Sequence, residues 1–215
     1  MRKARYVCFE GTEGVGKTTQ VDNLVKYLED KGFKVLKTKE PGTHHAPLTM
    51  DLRKIMLDSQ YESQMTAVAR ELISQTIRSI HLEKVIEPAL YEYDFIIQDR
   101  GILSGLAYGV ACGNSLEFLN NLATEINTIN DNFTELYDDV LYLRGNVGDK
   151  LKVAIESKQE FESGDVIESR GVSFMEQVGR NMNEFSSFFS THCLEVDNKN
   201  IDQVFEEVLK ALKLR

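Results

Sequence analysis

The fold of this chain is decided by the stretch Glu10-Gly11-Thr12-Glu13-Gly14-Val15-Gly16-Lys17-Thr18-Thr19. It follows the pattern G-x-x-x-x-G-K-[ST], in which glycines allow the tight turns that direct backbone N–H groups at a polyphosphate. In such a loop Lys17 places a positive charge on the β- and γ-phosphates of the ligand, and Thr18 offers its hydroxyl to Mg²⁺. The predicted nucleotide-binding residues are Gly11, Thr12, Glu13, Gly14, Val15, Gly16, Lys17, Thr18 and Thr19.

The segments on either side of the loop support this interpretation. Tyr6–Phe9 is a short apolar run typical of a strand, and Thr18–Asp30 carries apolar residues on one face, as a helix does. A helix that starts at the loop directs its positive N-terminal end at the same anion. A glycine-rich loop without function is the alternative, and the order of strand, loop and helix makes it the weaker one.

Length and composition predict one soluble α/β domain that spans residues 1–215. The net charge of −9 argues against a nucleic-acid-binding surface. No membrane span is expected, because there is no apolar run of about 18 residues. The basic N-terminus is followed by too few apolar residues for a signal peptide. Three scattered cysteines without C-x-x-C spacing predict reduced thiols in a cytoplasmic protein.

Short apolar runs alternate with helical patterns along the chain. The predicted strands are Tyr6–Phe9, Phe33–Leu36, Phe95–Ile97, Val140–Leu143 and Cys193–Val196. The predicted helices are Thr18–Asp30, Leu48–Leu57, Ser63–Glu87, Leu116–Ile129, Asp149–Ser157, Ser173–Phe189 and Ile201–Leu214. This order predicts an α/β protein with a mostly parallel five-stranded sheet, covered by helices on both faces.

Inward-facing apolar residues are predicted for the longest and the last of these helices, and Pro88 is predicted to mark a break. In the longest helix they are Met65, Val68, Ala69, Leu72, Ile73, Ile77, Ile80 and Val85. In the last helix they are Ile201, Val204, Phe205, Val208, Leu209 and Leu212.

Ligands of such sheets bind beyond the carboxyl ends of the strands, which gathers the residues at the strand ends into one cleft. Asp99 follows the third predicted strand and is placed to hold Mg²⁺, directly or through water. Arg100 beside it suits a second phosphate, since its planar fork reaches two oxygens. A surface ion pair at the strand end is the alternative.

Two arginines on predicted helices are further candidates. Arg53 and Arg78 could both be solvated helix charges, but Arg78 follows Ile77 in the apolar stripe, which favours a cleft-facing role. Glu13 lies inside the phosphate-binding loop, where a carboxylate is costly, so it is expected to act with Mg²⁺, an arginine or a substrate hydroxyl. The pair His44-His45 is expected to be an exposed loop, because no further ligands cluster with it.

These motifs together resemble the thymidylate kinase family of P-loop nucleoside-monophosphate kinases, in order and spacing, from residue 6 to about residue 110. The matching segments are Phe9–Thr19, Glu40–Thr43, Leu52-Arg53, Arg78, Val85–Leu90, Asp99-Arg100 and Ser104–Tyr108. The resemblance implies a P-loop NTPase fold and transfer of the γ-phosphoryl group of ATP to a deoxynucleoside monophosphate, with dTMP favoured and Mg²⁺ as cofactor. It implies homodimers as the usual assembly, for which the helix predicted at Ser63–Glu87 could supply a face.

Carried over residue by residue, the resemblance implies distinct roles in the cleft. Lys17, Glu13, Arg100 and, from a lid at about 158–171, Arg170 would be catalytic; Lys158 is the second lid candidate, and either lid cation could instead be solvated. Thr18 and Asp99 would hold the metal. The acceptor nucleotide would bind Glu40, Pro41, Arg53, Ser74, Arg78, Arg100, Ser104, Gly105 and Tyr108.

The sequence also departs from the family pattern. Ser74 stands where the family carries a phenylalanine that stacks on thymine, and Gly101 stands where Tyr or His usually follows Asp-Arg. The first departure leaves two alternatives open: either another ring replaces the phenylalanine, or the acceptor carries another base, as dUMP or dGMP does. A nucleotide-dependent switch is a distant alternative, because the residue three after Asp99 is Ile102 and the D-x-x-G pattern fails. An inactive scaffold is disfavoured by the retained Lys17, Asp99 and Arg100.

Overall fold

Five strands form one sheet in the computed structural model, which describes residues 4–126, 136–148 and 170–214. They are β1 (Arg5–Glu10), β2 (Val35–Lys39), β3 (Phe95–Asp99), β4 (Asp139–Arg144) and β5 (Thr191–Glu195). Their order is β2-β3-β1-β4-β5, and each of the four pairings is parallel. All described carboxyl ends therefore meet at one edge, where the phosphate-binding loop follows β1.

Successive side chains of the inner strands point to opposite faces of the sheet, as the pleat requires. On β1, Val7 and Phe9 pack against one set of buried residues, whereas Tyr6 packs against another. On β3, Ile97 lies in the same buried cluster as Val7, and Ile96 lies in the same cluster as Tyr6. Both faces are buried, which confirms that helices cover the sheet on both sides.

The structure describes eight α-helices within residues 4–126, 136–148 and 170–214. They are α1 (Lys17–Asp30), α2 (Pro47–Leu57), α3 (Ala67–His81), α4 (Glu87–Glu92), α5 (Ile102–Ala111), α6 (Leu116–Ile126), α7 (Val172–Phe185) and α8 (Ile201–Ala211). Helices α1 and α8 contribute to the core on one face of the sheet, and α4, α5 and α7 contribute to the core on the other. None of the helices in the described ranges is long and apolar enough to cross a membrane.

Several predicted elements lie outside the described residues or end differently. The helix predicted at Asp149–Ser157 and most of the lid, including Lys158, fall outside them. Strand β2 begins two residues later than predicted, at Val35. Phe33 is 41% exposed and packs edge-on against Phe95, so it covers the end of the sheet instead of extending a strand.

The longest predicted helix, Ser63–Glu87, was wrong in its bounds and in its buried face. It begins at Ala67, because the Thr66 hydroxyl caps it by accepting a hydrogen bond from Ala69 N at 3.1 Å. The chain stays helical through a π turn at Leu82–Ile86 and then through α4, so Pro88 does not end it. Pro88 lies in the first turn of α4, where a missing backbone N–H is tolerated.

Only part of the apolar face predicted for this helix is buried, namely Ile77 and Val85. Val68 and Leu72 are 48% and 49% exposed, although apolar spacing predicted that they face inward. The buried face of the helix is mostly polar and includes Arg70, Glu71, Gln75, Ile77, Arg78 and His81. Polar residues can occupy a buried face when they line a cleft and bond one another, which periodicity of apolar residues does not register.

Two further differences concern α5 and α8. Helix α5 was missed by the sequence analysis, because it is apolar on most sides and so has no polar face to give a periodic signal. In α8 the predicted inward set holds for Val204, Val208, Leu209 and Leu212, but Ile201 is 57% exposed. Ile201 is the first residue of that helix, and the buried residues of the helix begin one turn later, at Val204.

Helix α8 provides a matched test of this packing. We expect Leu209→Ala to lower the free energy of unfolding by about 2–5 kcal/mol, because it leaves a cavity in the core. Ile201→Ala should change it by no more than about 0.5 kcal/mol, since that side chain is mostly in solvent. Urea unfolding of both variants measures the difference, and equal losses would contradict the placement of α8.

Candidate active site

A cavity of about 380 Å³ opens at the carboxyl ends of the strands. It collects most of the side chains that the sequence analysis assigned to the acceptor nucleotide, together with residues of the phosphate-binding loop. The predicted residues that line it are Glu13, Thr18, Glu40, Pro41, Arg53, Ser74, Arg78, Asp99, Arg100, Ser104, Gly105 and Tyr108. Segments far apart in sequence therefore meet in one cleft, as the parallel sheet requires.

The phosphate-binding loop holds its lysine in a buried position. Lys17 is the first residue of α1 and donates to the backbone oxygen of Thr12 at 2.6 Å. Burial, together with the nearby charge of Arg100, lowers the pKa of Lys17 to about 8. A Cβ on Gly11 would lie 2.5 Å from the Leu143 carbonyl oxygen, and its φ of +148° disfavours other residues. The loop is thus shaped for an anion that would restore full charge to Lys17.

A hydroxyl and a carboxylate meet at the start of α1. Thr18 Oγ1 donates to Asp99 Oδ2 at 2.6 Å. Among the residues that the structure describes, no hydrogen-bond donor reaches the buried Oδ1 of Asp99. Oxygen ligands of this kind are the ones Mg²⁺ prefers, and an orphaned carboxylate oxygen is costly without a partner. The pair therefore fits a magnesium ion.

Arg100 bridges the phosphate-binding loop and α5. Its backbone has a φ of +66°, which is uncommon for a residue other than glycine, and its N–H donates to Phe9 O at 2.8 Å. Its guanidinium donates to Gly11 O at 3.0 Å and to Ser104 Oγ at 3.2 Å, and it pairs with Glu13. Such a strained backbone at a strand end is typical of a functional site.

The Arg100 guanidinium also lies over the ring of Tyr108, 5.4 Å from the centroid. Burial alone would lower the pKa of Arg100, but the nearby acidic groups, first among them Glu13, together outweigh that effect and raise it. Arg100 therefore remains charged at every pH at which the protein folds. Glu13 therefore pairs with an arginine, which is one of the three partners that the sequence analysis expected for it.

A second buried ion pair holds Arg78. Its Nε donates to Glu40 Oε2 at 2.8 Å, and Nη2 donates to the Gly101 carbonyl at 3.2 Å. His81 Nδ1 contacts the other oxygen of Glu40 at 3.1 Å, and His81 Nε2 contacts Thr38 Oγ1 at 2.8 Å. Burial alone would raise the pKa of the Glu40 carboxyl, but Arg78 and His81 lower it to about 2.

Glu10, which begins the loop motif, has a role that the sequence analysis missed. Its Oε1 accepts from the backbone N–H groups of Gly101 at 2.9 Å and Ser104 at 3.2 Å, and its Oε2 accepts from the Ser104 hydroxyl. These bonds satisfy free N–H groups at the start of α5 and fix that helix against β1. Burial raises the pKa of the Glu10 carboxyl, against the effect of these bonds.

The unusual Gly101 has a steric explanation. A Cβ at this position would lie 2.3 Å from the hydroxyl of Tyr137 and 2.9 Å from Cys8 Sγ. Its φ of −159° is extended backbone, so the restriction comes from these neighbours and not from the main chain. Tyr137 thus fills space that a larger residue after Arg100 would need.

The two remaining predicted arginines differ in their position relative to the cavity. Arg53 lines the cavity and donates to Pro41 O at 2.9 Å. Arg170 pairs with Glu62 at 2.9 Å and lies over the ring of Phe174, 5.3 Å from the centroid. It is not among the described residues that line the cavity, so its catalytic role stays a prediction.

Glu71 also lines the cavity and was missed by the sequence analysis. It lies two helical turns before Arg78, on the same face of α3, and Gln75 between them donates to Glu71 Oε1 at 2.7 Å. The spacing i, i+4, i+7 of three polar residues could have identified this face. The apolar pattern drew attention to the opposite one.

Comparison with known proteins identifies the same family that the residues of the cleft indicated. Residues 9–208 match the family model described as Thymidylate kinase. The chain belongs to the thymidylate kinase family. It is therefore an enzyme of the nucleoside-monophosphate kinase class, and the P-loop NTPase fold expected from the resemblance is confirmed.

Relatives of this family cover nearly the whole chain. A thymidylate kinase of Caldicellulosiruptor saccharolyticus is 29% identical over 212 residues, which cover 98% of this chain and 96% of that protein. One from Prochlorococcus marinus is 31% identical over 185 residues, covering 82% and 80%. A crystal structure of thymidylate kinase from Ehrlichia chaffeensis shares the fold, with a TM-score of 0.71 at 21% identity and 98% coverage of both chains.

The Glu40 network predicts a dependence of stability on acid pH. The pKa of Glu40 is about 2 in the folded protein and 4.5 in its ordinary state, so the ionised carboxylate stabilises the fold above about pH 4.5. That contribution, about 3 kcal/mol, is lost as the pH falls towards 2. We expect Glu40→Gln to lower the free energy of unfolding at pH 7, and the gap to narrow below pH 4.5.

Denaturant unfolding of wild type and variant between pH 7 and pH 3 measures that gap. Glu29→Gln, which changes an exposed glutamate of α1, is the matched control and should follow wild type throughout. A gap between Glu40→Gln and wild type that stays constant across this range would contradict the assignment.

Proposed function

We propose that this chain transfers the γ-phosphoryl group of ATP to the 5′-phosphate of a deoxynucleoside monophosphate, with dTMP favoured, giving dTDP for deoxynucleotide synthesis. The single observation that carries the proposal is the cavity between the phosphate-binding loop and α3, which Glu13 and Thr18 of the loop line together with Arg78 and Arg100. Phosphoryl transfer needs positioned positive charge more than covalent chemistry from the protein.

Each side chain has a role that follows from its position. Lys17 would bind the β- and γ-phosphates of ATP, and Arg100 would hold the acceptor phosphate in line with them. Glu13 fixes the Arg100 guanidinium and would reach the sugar of the acceptor. Arg53 would assist at the acceptor phosphate, and Arg78 would meet the base.

Thr18 and Asp99 would hold Mg²⁺, which when bound neutralises phosphate charge. The orphaned Oδ1 of Asp99 supports this assignment. Arg170 would act from the lid, which we place at about 158–171 of one kinase domain. Removal of water by such a lid favours the monophosphate over water as acceptor.

The assembly and location belong to the same proposal. We infer a homodimer, supported by exposed apolar side chains on α2 and α3, namely Leu48, Ile55, Val68 and Leu72. A cytoplasmic location is supported by the three cysteines, which are free thiols. The alternative acceptors dUMP and dGMP are supported by Ser74, which lines the cavity where a stacking ring was expected.

The lysine of the loop provides the first test. We expect Lys17→Ala to abolish measurable formation of ADP from ATP and dTMP, since loss of one charged donor costs at least about a hundredfold in kcat. The fold should remain, because removal of a buried charge relieves a desolvation cost. Lys26→Ala on the exposed face of α1 is the matched control and should keep activity. Retained turnover in Lys17→Ala would remove the role of the loop.

Substitution of Arg100 tests whether this residue binds the acceptor monophosphate or the donor ATP. We expect Arg100→Ala to raise KM for the monophosphate by about tenfold or more and to leave KM for ATP nearly unchanged. Arg100→Lys should recover only part of the loss, because an ammonium lacks the planar fork that meets two oxygens. Steady-state kinetics with each substrate varied in turn measures both constants. A change confined to KM for ATP would show that Arg100 binds the phosphoryl donor instead of the acceptor.

A further inference from the structure

Two charged side chains of α3 are seated against two glycines of α5. A Cβ on Gly105 would lie 2.8 Å from Arg78 Nη2, and a Cβ on Gly109 would lie 3.0 Å from Glu71 Oε2. The glycines are one helical turn apart, about 6 Å along the axis. A guanidinium and a carboxylate therefore stand side by side along the wall of the cavity, at a spacing that one heterocyclic base can bridge.

The carboxylate is buried with fewer partners than it can accept. Glu71 is 5% exposed and lines the cavity, and Gln75 Nε2 donates to its Oε1 at 2.7 Å. Gln75 is itself 2% exposed, and within the described ranges of the chain no donor reaches its Oε1. A carboxylate can accept about four hydrogen bonds, and buried oxygens without donors are costly. Glu71 thus brings unused acceptor capacity to this end of the cavity, which suits a ligand with N–H groups.

The pKa of the Glu71 carboxyl is raised overall, because the effect of burial outweighs that of its local partners. Burial raises the pKa of its carboxyl, while the hydrogen bond from Gln75 and the charge of Arg78 act in the opposite direction. The same wall offers width, because Ser74 is small. A two-ring base has room where a phenylalanine at position 74 would narrow the cleft.

We propose that Arg78 and Glu71 together recognise the edge of guanine, so that the chain also phosphorylates dGMP. This inference rests on the proposed function; it selects dGMP from the alternative acceptors named there and adds a specificity-determining residue, Glu71. Guanine presents O6 and N7 as acceptors, which an arginine contacts with two hydrogen bonds, and beside them N1–H and the 2-amino group as donors. The carboxylate of Glu71 accepts both of those donors.

Other bases match this pair less well. Thymine places its one N–H between two carbonyl oxygens, so at least one oxygen faces the carboxylate. Cytosine has one amino group next to a ring acceptor, so it donates a hydrogen bond to only one of the two carboxylate oxygens.

In the reaction a 5′-phosphate oxygen of dGMP bonds to the γ-phosphorus, the bond to the β–γ bridging oxygen breaks, and its electron pair leaves with ADP. The products are dGDP and ADP.

The test uses the full chain with ATP, Mg²⁺ and a series of monophosphates, with ADP formation recorded for each. dIMP differs from dGMP only by the missing 2-amino group, so this comparison needs no variant. We expect kcat/KM to be about tenfold higher for dGMP than for dIMP. Glu71→Gln should bring that ratio close to one, because the amide that replaces the carboxylate accepts fewer hydrogen bonds from guanine.

Glu83→Gln is the matched control, an exposed glutamate of the same helical run that pairs with Lys84, and should keep the wild-type ratio. Activity on dTMP without activity on dGMP would overturn this inference and leave the proposed function intact. So would a ratio of dGMP to dIMP that Glu71→Gln leaves unchanged. Absence of ADP with every monophosphate would instead contradict the proposed function itself.

Discussion

Buried positive charge is the constraint on which this cleft depends. The chain as a whole carries a net charge of −9, yet Lys17, Arg78 and Arg100 are buried or nearly so at one edge of its sheet. A buried charge is costly unless it is paired. Arg78 is balanced by Glu40 and Arg100 by Glu13, whereas the described residues offer Lys17 no carboxylate within ion-pair distance. Lys17 is therefore the cation that we propose a phosphate group of the bound nucleotide pairs with.

The surrounding structure serves this arrangement. Strand β1 lies in the middle of a parallel sheet, so the loop that follows it emerges between the ends of β3 and β4. Glu10 ends β1 and holds the start of α5, which carries the two glycines that seat Arg78 and Glu71. One strand end thus positions both the donor loop and the helix that forms the floor of the acceptor cavity.

The sequence predicted the sheet and most of the cleft because those features depend on local signals. The phosphate-binding motif, the apolar strands and Asp99-Arg100 each have a direct physical requirement for particular residue types. The polar face of α3 could not be found in this way, because Val68 and Leu72 gave an apolar period that points to solvent. Helix α5 gave no period at all, since it is buried on most sides. Burial of Glu71 and Gln75 depends on packing against α5, which only the tertiary structure reveals.

Proton uptake on binding of ATP with Mg²⁺ tests the central claim most directly. Lys17 has a pKa of about 8 in the free protein, and a bound triphosphate should raise it. Calorimetric titration at pH 8 in buffers of different ionisation enthalpy should therefore show uptake of about half a proton per site, falling to about a tenth at pH 7. Binding without proton uptake at pH 8, or with the same uptake at both pH values, would contradict the account.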